Sequence, residues 1–249
     1  MKFKSGRILT PIILIGVLNT VQTGRVRHDS GFEAFAAPLE TKEYLAPPTS
    51  NSTSDFKDLD QPTQTALPRF GKTIRETGEI YGIDWRLLLA IIKQESRFHT
   101  NAESFRGARG LMQIMPATEA EVSERLGIDN LSLPRHNIKG GAYYLAQLFT
   151  LFDGVSRDDR LKLTLAAYNA GAGRIYDAQE IAAYLGENPT SWTSIEKVLP
   201  LLSKRYYTLH RSVWDGGKPR NGYFGKSRQT IDYVSKVSGY FDRYKSLLD

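Results

Sequence analysis

The sequence predicts an all-α, mainly helical domain, and three observations predict it. From Leu67 onward apolar residues recur at spacings of three and four. Recognisable start and stop residues bracket those runs. Convincing alternation with a period of two, the mark of strands, is scarce in the 249-residue chain.

The elements follow in order from these signals. Asp84 is placed to cap a helix that begins at Trp85 and runs to about Glu95, its carboxylate meeting a first-turn amide. Pro116 suits the start of a second helix, and Gly127 the turn beyond its end at Leu126. Asn137 can cap the stretch from Ile138 to Phe149, where Ile138, Ala142, Leu145 and Phe149 share a face. Asp158 or Asp159 opens a helix through RLKLTLAAYN. Another extends from Arg174 to Leu185 and is stopped by Gly186. The last, about Ile231 to Leu248, carries Tyr233, Val237, Tyr240, Tyr244 and Leu247 on one stripe. Glycine-rich loops join the helices, and no internal repeat is visible.

Ahead of this domain, assigned to residues 67–249, the composition changes. Residues 24–66 hold Pro38, Pro47, Pro48 and Pro62 among many Ser, Thr and Asp, and read as a flexible linker. Lys2, Lys4 and Arg7 precede ILTPIILIGVL, Ile8 to Leu18. A basic head before a short apolar core is a secretory signal pattern. The run falls short of the ~20 residues of a spanning helix. Residues 1–23 are therefore assigned as a signal peptide or signal anchor. Ala34-Phe35-Ala36 and Val21-Gln22-Thr23 are alternative cleavage sites, and an uncleaved anchor reaching Thr23 is the third arrangement. Each makes the body of the protein an exported one, secreted or membrane-associated.

The formal net charge is +6 and the pI about 9.4, which suits an anionic partner. No basic run is interleaved with aromatics, so nucleic acid is not the expected one. The chain has no cysteine, which excludes disulfides, thiolate metal sites and a cysteine nucleophile. Four scattered histidines give no ligand pattern, so neither a metal nor an organic cofactor is expected.

Four stretches carry candidate chemistry. Leu88, Ile91 and Glu95 stand on one helical face, so the glutamate ends an inward-pointing stripe. Burial and the negative end of the helix dipole would both raise its pKa, as a general acid requires. The alternative is a glutamate turned to the rim and paired with Lys93, Arg97 or Arg109. In ESFRGARGLMQIMP, Gly107 and Gly110 permit tight turns and close approach to the backbone. Met112 offers an adaptable apolar wall there and Gln113 an amide that donates and accepts, both suited to an N-acetylated sugar. The alternative makes Met112 core and Gln113 a turn residue. In LAAYNAGAGRI, Leu161, Leu165 and Tyr168 share a face, and Asn169 follows at the helix end. Tyr233 lies on the apolar side of the last helix, where plain packing is the alternative.

Together these residues resemble a family. Glu95-Ser96, Gly110-Leu111-Met112-Gln113, Ala167-Tyr168-Asn169-Ala170-Gly171 and Tyr233-Val234 occur in the order and approximate spacing of the soluble-type lytic transglycosylases of bacterial murein. GENPTSW, KVLPLL, Tyr206-Tyr207 and the final tyrosine-rich helix are similar to its membrane-bound F-type branch, without that branch's N-terminal solute-binding-like domain. The resemblance implies a lysozyme-like fold and Glu95 as sole catalytic acid/base. It implies that Ser96, Met112, Gln113, Tyr168, Asn169 and Tyr233 meet the substrate, a peptidoglycan glycan strand. The implied reaction breaks the β-1,4 bond between N-acetylmuramic acid and N-acetylglucosamine and leaves a 1,6-anhydromuramic end. A hydrolase on the same fold, similar to goose-type lysozyme, and a murein-binding module without catalysis are the rival readings.

Overall fold

The computed structural model describes residues 57–248. The segment expected to be a signal and most of the expected linker, residues 1–56, lie outside the described residues. Among the described residues the elements are α1 (Gln61–Tyr81), α2 (Trp85–Ser96), α3 (Pro116–Leu126), α4 (Pro134–Thr150), α5 (Arg157–Ala170), α6 (Ala172–Tyr184), α7 (Trp192–Val198), α8 (Tyr207–Val213) and α9 (Ser227–Leu247). Two 3₁₀ turns, Leu199–Leu202 and Lys204–Tyr206, lie between α7 and α8. Extended pairing among these residues is limited to two isolated bridges, Glu103 with Arg109 and Arg109 with Ile114.

α2 is the pillar of the domain. Every residue from Leu87 to Ile92 is buried, because α1 and α9 pack against it. An apolar run buried on all sides needs neighbours on all sides. α9 supplies its tyrosine stripe, with Tyr233, Val237 and Tyr244 buried, and it also covers α5. α4 closes α1 and α5 from another direction. No helix among the described residues is long and apolar enough to cross a membrane.

The bounds of α2, α3, α5 and α6 agree closely with the sequence reading, whereas α4 and α9 begin earlier than Ile138 and Ile231, and α1, α7 and α8 were not placed. The domain begins before Leu67. Asp60 caps α1 by accepting from the amide of Thr63 at 3.3 Å, and Pro62 sits in the first turn, where its missing N–H costs nothing. Leu59, Thr63 and Ala66 are core residues. The Thr63 hydroxyl meets the Tyr244 hydroxyl at 2.8 Å, and Asp60 pairs with Lys93 on α2. Pro62 and the small polar residues around it gave this segment the look of a linker, yet Pro62 suits the first turn of α1 and Pro68 is accommodated inside the same helix.

The second correction concerns Asn137. It does not cap α4, which starts earlier at Pro134. Asn137 is buried in the first turn and turns its amide to another loop. Its Oδ1 accepts from the amide of Met112 at 2.8 Å, and its Nδ2 donates to the carbonyls of Arg109 and Leu131, both at 3.1 Å. At the start of α5 the cap is Ser156, with Asp158 and Asp159 in the first turn, where carboxylates favour the helix N-terminus.

Candidate active site

The site grows from the C-terminal end of α2. The helix stops at Ser96, and Arg97 and Phe98 both take left-handed backbone conformations, φ 50° and φ 67°. Such conformations cost an L-residue roughly 1–2 kcal/mol each. The Ser96 hydroxyl offsets part of this by donating to the Ile92 carbonyl and accepting from the Phe98 amide, both at 3.1 Å. His99 adds a bond from Nδ1 to the Ser96 carbonyl at 2.8 Å. The double reversal buries Phe98 and leaves Arg97 exposed. Ser96 thus fixes the chain beside Glu95, and its hydroxyl is already occupied by backbone.

Glu95 turns inward, as its helical position requires. Lys93 and Arg109 are engaged elsewhere, with Asp60 and Glu103, and neither pairs with it. Its Oε1 accepts a hydrogen bond from the Tyr233 hydroxyl at 2.7 Å. Protein surrounds the carboxyl on most sides, while the residue keeps a partial opening to solvent. Burial pushes its pKa up to about 7, with the Tyr233 bond acting in the opposite sense. The acid is therefore present in both protonation states near neutral pH. Tyr168 and Tyr233 are themselves raised well above the ordinary tyrosine range by burial, and next by the nearby Glu95 charge. Both stay protonated donors.

A cavity of about 680 Å³ opens in front of this carboxyl. Arg69, Glu95, Ser96, Arg97, His99 and Gln113 are among the residues that line it. Gln113, in a left-handed conformation at φ 49°, donates its amide to the carbonyls of Ala102 and Gly110, both at 3.0 Å. Its turn is closed by reciprocal backbone bonds between Arg109 and Ile114, both 3.0 Å. Glu103, the other carboxylate on the wall, is held by Arg109 at 3.3 Å. Beyond it a turn from Ser104 to Gly107 leaves Phe105 fully exposed.

Met112 is placed differently from its expected role. It is fully buried, and a Cβ built on Gly141 would come within 2.5 Å of its sulfur, so α4 has given up a side chain to admit it. The apolar wall expected of Met112 is core. Its carbonyl matters instead, accepting from the Tyr168 hydroxyl at 2.8 Å. Gly110, at φ 77°, likewise makes room for protein rather than ligand, since a Cβ there would fall 2.4 Å from the Asn137 amide. Asn169 accepts from the Thr230 hydroxyl at 2.9 Å, which ties the end of α5 to α9 one turn before Tyr233. Of the expected site residues, Glu95, Ser96 and Gln113 line the cavity. Tyr233 and Tyr168 stand behind the acid, Asn169 braces α9, and Met112 lies in the core. Arg69, Arg97 and His99 on the wall were not anticipated as site residues, because a lone exposed cation in sequence carries no signal of where it points.

A helical domain whose central helix ends on a half-buried glutamic acid at an open cleft is of the lysozyme-like class. Residues 72–189 match the family described as "Transglycosylase SLT domain". The chain thus carries a transglycosylase SLT domain. It is 35% identical over 192 residues, 77% of its length, to membrane-bound lytic murein transglycosylase F of Desulfosudis oleivorans. It is 38% identical over 71% of its length to the protein of that name from Shewanella pealeana. It spans only 39% and 34% of these two relatives. Among solved structures it is similar to the 70 kDa soluble lytic transglycosylase from Escherichia coli. The TM-score is 0.51 and the identity 22%, over 75% of this chain and 26% of that one. This last likeness concerns the fold.

Proposed function

We propose that the protein is a lytic transglycosylase of the bacterial cell envelope, acting on peptidoglycan and leaving 1,6-anhydromuramic ends. The observation that carries the reading is the Glu95 carboxyl, raised to a pKa of about 7 by burial and facing an open cleft. A group titrating there serves equally as acid and as base at neutral pH. The relatives' names, which describe membrane-bound murein transglycosylases, support the same substrate and location.

In this mechanism Glu95 gives its proton to the glycosidic oxygen as the bond to the muramic anomeric carbon breaks. The oxygen leaves as the 4-hydroxyl of N-acetylglucosamine. Positive charge develops on the anomeric carbon, and the neighbouring N-acetyl group can steady it without a second carboxylate. Glu103, the other carboxylate on the wall, is paired with Arg109. The ionised Glu95 then takes the proton from the C6 hydroxyl of the same muramic residue. That oxygen bonds to the anomeric carbon and closes the anhydro ring, and Glu95 regains its acid form. The Tyr233 hydrogen bond stabilises Glu95 during the interval in which it is charged.

Mass analysis of products from purified murein tests the reading. Anhydro ends, one water lighter than reducing ends, are expected. Reducing ends alone would assign a hydrolase, and no soluble product a binding module.

A further inference from the structure

We infer that Arg97, with Arg69 on the same wall, forms a subsite for a carboxylate of the murein strand beside Glu95. This rests on the proposed substrate and adds a specificity residue to it. Three observations converge on Arg97. It occupies the left-handed position that ends α2, at φ 50°, where glycine is the ordinary choice. A strained non-glycine residue at a cleft points to a use for its side chain. It is exposed and lines the cavity that Glu95 faces. It makes no ion pair with a carboxylate among the described residues.

The charges around it sharpen the point. Arg69 is exposed on the same wall, its guanidinium lying 4.8 Å from the Phe70 ring centre and unpaired with any carboxylate among the described residues. Of the two acids on the wall, Glu103 is compensated by Arg109, and Glu95 is largely neutral below pH 7. The cleft therefore carries uncompensated positive charge next to the reacting centre. A neutral polymer of N-acetylated sugars gains nothing from that charge. Murein has two sources of carboxylate on the muramic residue: the lactyl group when its peptide is absent, and the stem peptide when present. A guanidinium suits either, since its planar fork matches a carboxylate with two parallel hydrogen bonds.

The test measures binding by the full chain carrying Glu95→Gln, so that chemistry does not consume the ligand. Arg97→Gly and Arg97→Lys are compared on three probes. These are murein strands with stem peptides, amidase-stripped strands with free lactyl carboxylates, and uncharged β-1,4 oligomers of N-acetylglucosamine. Arg97→Gly is expected to weaken binding of carboxylate-bearing strands by about tenfold, as loss of a charge-assisted contact does. Binding of the uncharged oligomer should change less than twofold, and the melting temperature should hold or rise, because glycine relieves the strained cap. Arg97→Lys should fall between. A loss confined to stripped strands names the lactyl group, and a loss confined to peptide-bearing strands names the peptide. Equal losses on all three probes, no loss on any, or no binding of any strand by the parent would overturn the subsite. The proposed activity is judged separately, from the products of the unsubstituted protein.

Discussion

The Tyr233 hydroxyl reaches across from α9 and donates to Glu95 Oε1 at 2.7 Å, joining residues 138 positions apart. The bond stabilises the ionised carboxylate and so opposes the burial that raises its pKa. Tyr233→Phe should remove that opposition. The pKa of Glu95 then rises further, and the fall of activity at high pH moves to higher pH, by up to about one unit. A pH profile of murein cleavage reads the shift. A Tyr233 that only packs would lower the melting temperature and leave the profile in place.

Glu95 also weakens the fold above mildly acidic pH. Its folded pKa of about 7 exceeds its ordinary value of 4.5. Between these values the unfolded chain has released the proton while the folded chain still holds it. Stability therefore falls as pH rises through the window and levels off above pH 7. Glu95→Gln has no such loss. It should match the parent near pH 4 and exceed it at pH 8 by about 2 kcal/mol, given about 1.4 kcal/mol per pKa unit and some relief by solvent. Thermal melts at the two pH values measure the difference. Turnover should fall by about 10²–10⁴ or more in the same variant, since one residue serves both proton transfers.

Asn137 holds the cleft wall from behind. Asn137→Ala leaves the buried Met112 amide without its partner and strips bonds from the Arg109 and Leu131 carbonyls. A loss of about 2–4 kcal/mol is expected, read as a lower denaturant midpoint. Activity should drop with it, since Gln113 stands on the same loop.

The succession of α2 to α6 and the inward face on which α2 ends at Glu95 were legible in the sequence because both follow from periodicity. Leu88, Ile91 and Glu95 share a face whatever surrounds them. The roles of Met112 and Asn137 were not legible, because each is set by a partner distant in sequence. Met112 enters the core only because Gly141 on α4 leaves room for its sulfur. Asn137 is drawn from its capping position by the orphan amide of Met112, 25 residues away. The same limit applies to Asn169, whose amide oxygen is taken by Thr230. Arg97 was visible only as a neighbour of Glu95, since its left-handed backbone is a product of the turn that buries Phe98.

The N-terminal boundary yields a further expectation. A chain starting at Lys57 should keep the fold, because it retains Leu59, Asp60 and Thr63. A chain starting at Leu67 loses the α1 cap, the Asp60–Lys93 pair and the Thr63–Tyr244 bond. It should be less stable by about 3 kcal/mol or more. Equal melting temperatures for the two would return Gln61 to Ala66 to the linker.

Burial at the cleft lifts the pKa of Glu95 into the neutral range. Titration of the Glu95 side-chain carboxyl carbon by NMR, assigned through Glu95→Gln, tests it most directly. The predicted midpoint lies near 7. A midpoint near the ordinary 4.5 would leave Glu95 ionised at neutral pH and contradict its role as the acid.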